Sequence, residues 1–153
     1  EGLMEIVTCD QGTEEWFRAR MGIPTASEFA TVMAKGRSGG GSKTRQTYLY
    51  KLAGEIITGK PMESFSNAHM ERGHAMEDEA RTLYQFMSDV DCERVGFIRS
   101  GRKGASPDSL VGTTGMVEIK TKLPHLMIET LLSGEFPPAH KAQCQRQLGV
   151  YEQ

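Results

Sequence analysis

The pattern of apolar residues along the chain changes near residue 94 and changes back near residue 123, and these changes limit the folds that the chain can adopt. Before the first change, apolar residues recur at helical spacing. After it come three short stretches separated by glycine-containing turns, at residues 94–99, 105–112 and 115–122, which is typical of a three-stranded meander. The last thirty or so residues are again helical in pattern. Helices, then hairpins, then helices predict a mixed α/β or α+β layered fold.

Four helices are predicted before the first change: residues 13–21, a short helix from Thr25, one that carries the apolar residues from Tyr48 to Ile57, and a longer one over 67–87. Thr25 and Glu28 have the spacing of a capping box. Residues 36–42 form a flexible Gly/Ser connector, which we do not interpret as a domain boundary. At 153 residues, the chain is therefore expected to form a single domain, 1–153.

Composition excludes several classes of protein. Hydrophobic residues make up 38% and charged residues 25%, and the longest apolar run is only a few residues, so neither a disordered chain nor a membrane span is expected. Three cysteines without a CxxC pair argue against a disulfide framework. The first residues contain no basic segment followed by an apolar stretch. We therefore expect a cytoplasmic protein with no membrane partner.

Charge is distributed unevenly, although the net charge is only −2. One acid-free segment between residues 35 and 54 carries five cations: Lys35, Arg37, Lys43, Arg45 and Lys51. A second basic group comprises Arg94, Arg99, Arg102 and Lys103. A phosphate backbone could contact both groups if folding brings them to one face. The alternative is that they form two solvated surfaces.

Two carboxylates and a lysine are predicted to converge in the meander. In the third predicted strand Glu118 and Lys120 share one face, and Asp108, ten residues upstream, can lie across from Glu118 in an antiparallel pair. Facing carboxylates are destabilising unless something compensates their charge, and Mg²⁺ is the usual compensation for clustered oxygen ligands. The alternative is a surface Glu–Lys pair beside a turn aspartate.

A third carboxylate, Glu77, falls within the apolar stripe of the long predicted helix. The stripe has three- and four-residue spacing and consists of Met70, Gly73, Ala80, Tyr84 and Met87. A buried carboxylate needs a partner or a metal ion, because an unpaired buried charge is costly. The alternative is that Glu77 lies at the edge of the stripe and reaches water.

These residues carry a family resemblance. Ser106-Pro107-Asp108 followed by Glu118-Ile119-Lys120 resembles the PD-(D/E)XK nuclease motif. The segments 21–28, 72–81, 104–108 and 142–145 occur in the order and approximate spacing of lambda exonuclease and related YqaJ-type phage recombination nucleases. The resemblance covers roughly residues 8–150. It implies a restriction-endonuclease-like core in which helices flank a central mixed sheet.

The resemblance also implies a metal centre. Asp108 and Glu118 match the metal-binding carboxylates of the family, the carbonyl oxygen of Ile119 matches a further ligand, and Glu77 matches the helical carboxylate that helps to hold a second ion. The implied cofactor is a pair of Mg²⁺ ions, for which Mn²⁺ can substitute.

Further site residues follow from the same resemblance. Lys120 matches the lysine that orients or deprotonates the attacking water, and Gln143 matches the active-site glutamine. Arg20 and Ser27 fall where the family holds the terminal 5′-phosphate of DNA. The residues agree with that role at one point, because Ser27 is predicted to lie in the first turn of a helix, where free N–H groups attract anions.

The activity that the resemblance implies is a 5′-to-3′ exonuclease on linear double-stranded DNA, which releases 5′-mononucleotides and leaves a 3′ single strand. Lys35, Arg37, Lys43 and Arg45 are candidates for contacts with the DNA backbone. The implied assembly is a ring-shaped homotrimer, the implied partner is a single-strand annealing protein, and the implied setting is a bacterial host cell with a phage or prophage. Relatives continue through further strands after the glutamine-bearing helix, so the domain is expected to lack its C-terminal strands.

Two other functions remain open at this point. An endonuclease or junction resolvase of the same fold would share the metal site. A non-catalytic module that binds DNA ends is the alternative outside enzymes, although Asp108, Glu118 and Lys120 are all intact.

Overall fold

A computed structural model describes residues 3–36, 40–62 and 68–151 of the chain, with side chains described from residue 75 in the last range. The strands are β1 (Met4–Val7), β2 (Phe97–Ser100), β3 (Lys103–Ala105), β4 (Ser109–Val111) and β5 (Gly115–Val117). The helices are α1 (Glu14–Arg20), α2 (Phe29–Met33), α3 (Lys43–Thr58), α4 (Ala68–Ser88), α5 (Pro124–Ser133) and α6 (Pro138–Tyr151). A 3₁₀ turn, Ala26–Glu28, precedes α2. No helix within these ranges is both long enough and apolar enough to cross a membrane.

Side-chain caps define two of the helices that the sequence predicted. The Thr13 hydroxyl accepts the N–H of Trp16 at 3.3 Å at the start of α1. Ser42 likewise caps α3, which ends where Gly59 adopts the left-handed conformation, with φ 65°. Such caps pair main-chain groups that the first and last turns of a helix leave without a partner. Local sequence was therefore sufficient to place the start of α1 and the end of α3, whereas the start of α3 at Ser42 was not predicted.

The predicted capping box at Thr25 and Glu28 is wrong. A capping box needs the Glu28 side chain to accept the N–H of Thr25, but the Tyr48 hydroxyl accepts that N–H, at 3.3 Å. The Thr25 hydroxyl lies 3.1 Å from the Ser27 hydroxyl instead. The segment therefore starts with a 3₁₀ turn that is held against α3, and the α-helix begins only at Phe29.

The strands form two antiparallel sheets. In the first, β2 lies between β1 and β3, with Val7 opposite Phe97 and Ile98 opposite Ala105. In the second, β4 and β5 form a hairpin with Ser109 opposite Val117. Strand β1 was not predicted, because its pairing partner lies about ninety residues away in the chain.

The boundaries of the predicted meander need correction. The predicted strand over 105–112 is divided at Pro107, so β3 and β4 belong to different sheets, because proline has no N–H to donate to a ladder. The predicted strand over 115–122 ends its ladder at Val117. Glu118 and Lys120 consequently lie just beyond a strand rather than within one.

Gly104 joins the first sheet to the turn before α2. Its N–H donates to the Pro24 carbonyl at 3.2 Å, and it forms a parallel bridge with Thr25, whereas the ladder pairs of the described strands are antiparallel. A Cβ at this position would lie 2.0 Å from the Cζ of Phe97. Only glycine leaves room for the Phe97 ring at this position, and the hydrogen bond to Pro24 holds the turn beside the sheet.

The core lies between α6 and the sheets. Buried apolar residues from the 3₁₀ turn, both sheets and α6 form one cluster: Ala26, Val95, Ile98, Ala105, Leu110 and Val150. Helix α6 packs against β2 and β3. The chain thus has the predicted mixed α/β fold, with its last helix packed on the first sheet.

Candidate active site

The turn that carries Asp108 is held by two side chains from the N-terminal segment. The indole N–H of Trp16 donates to the hydroxyl of Ser106 at 3.0 Å. The side-chain amide of Gln11 donates to the carbonyl oxygen of Pro107, also at 3.0 Å. Sequence reasoning missed both contacts, because their partners lie 90 and 96 residues apart. They fix the approach of the chain to Asp108.

Asp108 lies against the segment that follows β5. Its N–H donates to the Val117 carbonyl at 3.1 Å, and its Oδ2 accepts the N–H of Ile119 at 2.5 Å. The side chain thereby replaces a main-chain acceptor where the ladder ends. The prediction that Asp108 lies beside Glu118 is confirmed.

Glu118 accepts hydrogen bonds at both carboxylate oxygens. Its Oε1 accepts from the Lys120 ammonium at 2.5 Å and from the Gln143 amide at 2.7 Å. Its Oε2 accepts from the Gln147 amide at 2.6 Å. The structure therefore brings together three predicted residues, Glu118, Lys120 and Gln143. It adds Gln147, which the sequence indicated only by its position one helical turn after Gln143.

Glu77 is mostly buried, with 22% of its side chain exposed, and it pairs with Arg81 one turn later on α4. Arg81 is itself buried and also donates to the Ser109 hydroxyl at 2.7 Å and to the Asp108 carbonyl at 3.2 Å. Glu77 is thus partly buried, and Arg81 is one partner of its carboxylate. The predicted apolar stripe is wrong as a core face, because Tyr84 and Met87 are 42% and 75% exposed. The i,i+4 spacing of Glu77 and Arg81 was the signal that sequence reasoning did not use.

The acids interact electrostatically. Burial, followed by the charge of Glu118 and to a smaller extent that of Glu77, raises the pKa of Asp108 to about 7, against the opposing effects of the Ile119 N–H and Lys120. Among the side chains that the structure describes, no three of His, Cys, Asp or Glu form a group that could hold a metal ion. The metal-binding roles of Glu77, Asp108, Glu118 and Ile119 therefore remain predictions.

Arg20 and Ser27 differ in their surroundings. The Arg20 guanidinium lies over the Trp16 ring, 3.8 Å from its centroid, and lines a small cavity together with Thr25 and Lys51. Ser27 is exposed, and its hydroxyl interacts with that of Thr25. Ser27 belongs to a three-residue 3₁₀ turn, which offers fewer free N–H groups than the predicted helix start. Their role toward a 5′-phosphate stays a prediction.

Part of the first basic group is exposed and available to a polyanion, whereas Lys51 is half-buried at the cavity that Arg20 lines. Lys35, Lys43 and Arg45 are exposed around the start of α3, while Arg37 lies outside the described residues. The second group is divided, because Arg94 pairs with Asp78 and the Lys103 ammonium donates to the carbonyl oxygen of Gly149.

Comparison with known proteins gives a consistent result. Residues 15–152 match the YqaJ-like viral recombinase domain. The fold is similar to the crystal structure of an alkaline exonuclease, LHK-Exo, from Laribacter hongkongensis, with a TM-score of 0.76 and 38% identity over 90% of this chain and 68% of that chain. The structure of LHK-Exo in complex with dAMP gives a TM-score of 0.77 and 39% identity with the same coverage. Curated proteins gave no match.

Proposed function

The chain belongs to the YqaJ-like viral recombinase family, and from this we propose that it is an exonuclease acting on linear double-stranded DNA. In this proposal it degrades one strand from the 5′ end in a Mg²⁺-dependent reaction, releases 5′-mononucleotides and leaves a 3′ single strand. The crystal structure of LHK-Exo in complex with dAMP supports a mononucleotide product, because dAMP is a deoxynucleoside monophosphate.

The observation that carries the proposal is the placement of Asp108, Glu118 and Lys120 at one end of the β4–β5 hairpin. Asp108 contacts the main chain next to Glu118, and Glu118 contacts Lys120 directly. Burial and the Glu118 charge hold the pKa of Asp108 at about 7. A site that disfavours its own negative charge in this way is one where a cation gains binding energy.

The donor types fit a hard divalent cation. Asp108 and Glu118 supply carboxylate oxygens and Ile119 supplies a carbonyl oxygen, which are the ligands that Mg²⁺ prefers. The Asp108 Oδ1 accepts no hydrogen bond from any described residue. Glu77, which Arg81 holds through Oε1, would contribute a further carboxylate oxygen to a second ion. When bound, two ions would lower the pKa of a water and stabilise charge on the leaving oxygen.

The surrounding side chains take complementary roles. The Lys120 ammonium, 2.5 Å from Glu118 Oε1, can donate a hydrogen bond to the attacking water. The Gln143 amide orients the same carboxylate oxygen. Lys35, Lys43 and Arg45 would contact the DNA backbone irrespective of base sequence, and such binding weakens as salt rises. Arg37 is proposed for the same role.

The assembly and setting belong to the proposal as well. A homotrimeric ring with cations lining its channel would keep a slightly acidic chain on DNA. The exposed 3′ strand would pass to a single-strand annealing protein in the cytoplasm of a bacterial host. Size-exclusion chromatography with light scattering would measure the number of subunits directly.

The test of the activity uses one DNA duplex in several forms. Linear duplex labelled at either end, with and without a 5′-phosphate, is incubated with the protein in Mg²⁺, in Mn²⁺ and in EDTA, beside nicked and closed circles. We expect mononucleotides from the 5′-phosphorylated linear substrate, none in EDTA, and an intact closed circle.

Two other outcomes would replace the proposal. Cleavage of the closed circle would indicate an endonuclease or junction resolvase of the same fold. Retention of DNA ends with no Mg²⁺-dependent release of nucleotides would indicate a binding module.

A further inference from the structure

We infer that Gln147 is a positioning residue that holds the Glu118 carboxylate in the orientation needed to bind a divalent cation. Its side-chain amide donates to Glu118 Oε2 at 2.6 Å, while Lys120 and Gln143 share the opposite oxygen, Oε1. This inference rests on the proposed metal-dependent function. It concerns the side chain that orients the Glu118 carboxylate for binding a metal ion.

Burial distinguishes Gln147 from Lys120. Gln147 is 1% exposed, on the face of α6 that also buries Val150, whereas 35% of the Lys120 side chain is exposed. A buried amide cannot exchange its partner for water, so its hydrogen bond persists when a more exposed group moves away. Gln147 is therefore the donor best placed to keep Glu118 oriented if the ammonium leaves.

The two carboxylate oxygens then have different roles. With Oε2 held by Gln147, the oxygen that can exchange a partner for a cation is Oε1, where the donors are less buried. Groups that hydrogen-bond to a metal ligand commonly set its orientation and basicity. Gln147 thus determines which oxygen of Glu118 is presented to the ion.

The chain offers a matched control on the same helix. Gln145 is exposed and makes no side-chain hydrogen bond to any described residue. Gln147→Met removes the amide donor and keeps the length of the side chain, and Gln145→Met makes the same chemical change away from Glu118. The full chain is used for both variants.

The decisive measurement is Mn²⁺ binding by calorimetry in the absence of DNA. We expect Gln147→Met to raise the Kd for Mn²⁺ by roughly 10–100-fold, the usual effect of removing a group that orients a metal ligand, and Gln145→Met to leave it unchanged. In the nuclease assay, kcat at a fixed Mn²⁺ concentration should fall for Gln147→Met, while KM for DNA stays the same.

A merely structural role predicts a different pattern. If Gln147 only fills the core, its replacement lowers the Tm in EDTA equally in the wild-type and Glu118→Gln backgrounds. If it holds the Glu118 charge, the Tm loss is smaller in the Glu118→Gln background, because the buried carboxylate that loses its donor is no longer charged. Should Gln147→Met not fold, Gln147→Asn, which shortens the reach of the amide, is expected to weaken Mn²⁺ binding by a smaller factor.

The outcomes separate this inference from the proposed function. If the wild type binds Mn²⁺ and degrades DNA, and the Gln147 variants bind Mn²⁺ equally well, the positioning role is overturned and the exonuclease proposal stands. If the wild type itself binds no divalent cation, the metal-dependent function is overturned and this inference is overturned with it.

Discussion

Arg81 of α4 donates a hydrogen bond to the main-chain oxygen of Asp108, at 3.2 Å. The same guanidinium pairs with Glu77 and donates to Ser109. One buried cation thereby links the long helix to the hairpin turn that carries the candidate ligands. Because Arg81 is 5% exposed, its charge depends on these partners rather than on water.

Replacing Arg81 should destabilise the fold strongly. Arg81→Met leaves Glu77 and Ser109 without their shared donor, and we expect a loss of about 2–4 kcal/mol in the free energy of unfolding, measured by urea denaturation. Arg18→Met is the control, because Arg18 forms an exposed pair with Glu14 and should cost less than about 0.5 kcal/mol. Equal losses in the two variants would contradict the linking role of Arg81.

Stability of the metal-free protein should depend on pH through Asp108. Burial, with a contribution from the Glu118 charge, raises the pKa of Asp108 from 3.8 to about 7 in the folded protein. The folded state therefore holds an extra proton between these values. The contribution of this proton to the free energy of unfolding is fully present below pH 3.8 and is lost as the pH rises through about 7.

Asp108→Asn removes this titration and keeps an acceptor for the Ile119 N–H. Relative to the wild type, we expect the free energy of unfolding of the variant to rise by on the order of 1–3 kcal/mol between about pH 5 and pH 8. Thermal denaturation in EDTA measures this difference. The exposed Asp91 provides the control variant, Asp91→Asn, which should follow the wild-type curve. A constant difference between Asp108→Asn and wild type at all pH values would exclude the predicted titration.

Removing the charge of Glu118 or Lys120 should abolish cleavage and retain DNA binding. Glu118→Gln and Lys120→Met are expected to lower kcat by at least about 10²-fold, the scale of a lost proton-transfer or charge-stabilising group. Lys141→Met, at an exposed position on α6, should retain full activity. Turnover within a few-fold of wild type in either site variant would remove the assigned role.

Arg20 and Ser27 should control the preference for a 5′-phosphate. Arg20→Met and Ser27→Ala are expected to reduce the ratio of degradation rates on 5′-phosphorylated and 5′-hydroxyl duplexes, by about tenfold for Arg20, which corresponds to one charge-assisted hydrogen bond. The effect should appear in KM for the phosphorylated end. Arg18→Met tests whether any cation on α1 affects this ratio. An unchanged ratio in the Arg20 variant would contradict the proposed contact between Arg20 and the 5′-phosphate.

Local sequence predicted the elements whose partners are close in the chain. Thr13 and Gly59 define helix ends through contacts within a few residues. Asp108 and Glu118 were placed side by side because a short hairpin joins them. The predicted strand boundaries were less accurate, because the chain leaves one sheet at Pro107 and enters the other. Which sheet each segment joins depends on the surrounding packing.

The sequence by itself determined which donors and charges this protein can bring to one hairpin, because a short hairpin that turns midway between residues 108 and 118 brings these two positions opposite each other. Only the tertiary structure decided what those charges contact. Arg81 reaches Glu77 and Asp108 together, Gln147 reaches Glu118 from a helix 29 residues later, and Trp16 holds Ser106 across 90 residues. These contacts depend on how separate elements pack, and packing is a property of the whole core that no local spacing encodes.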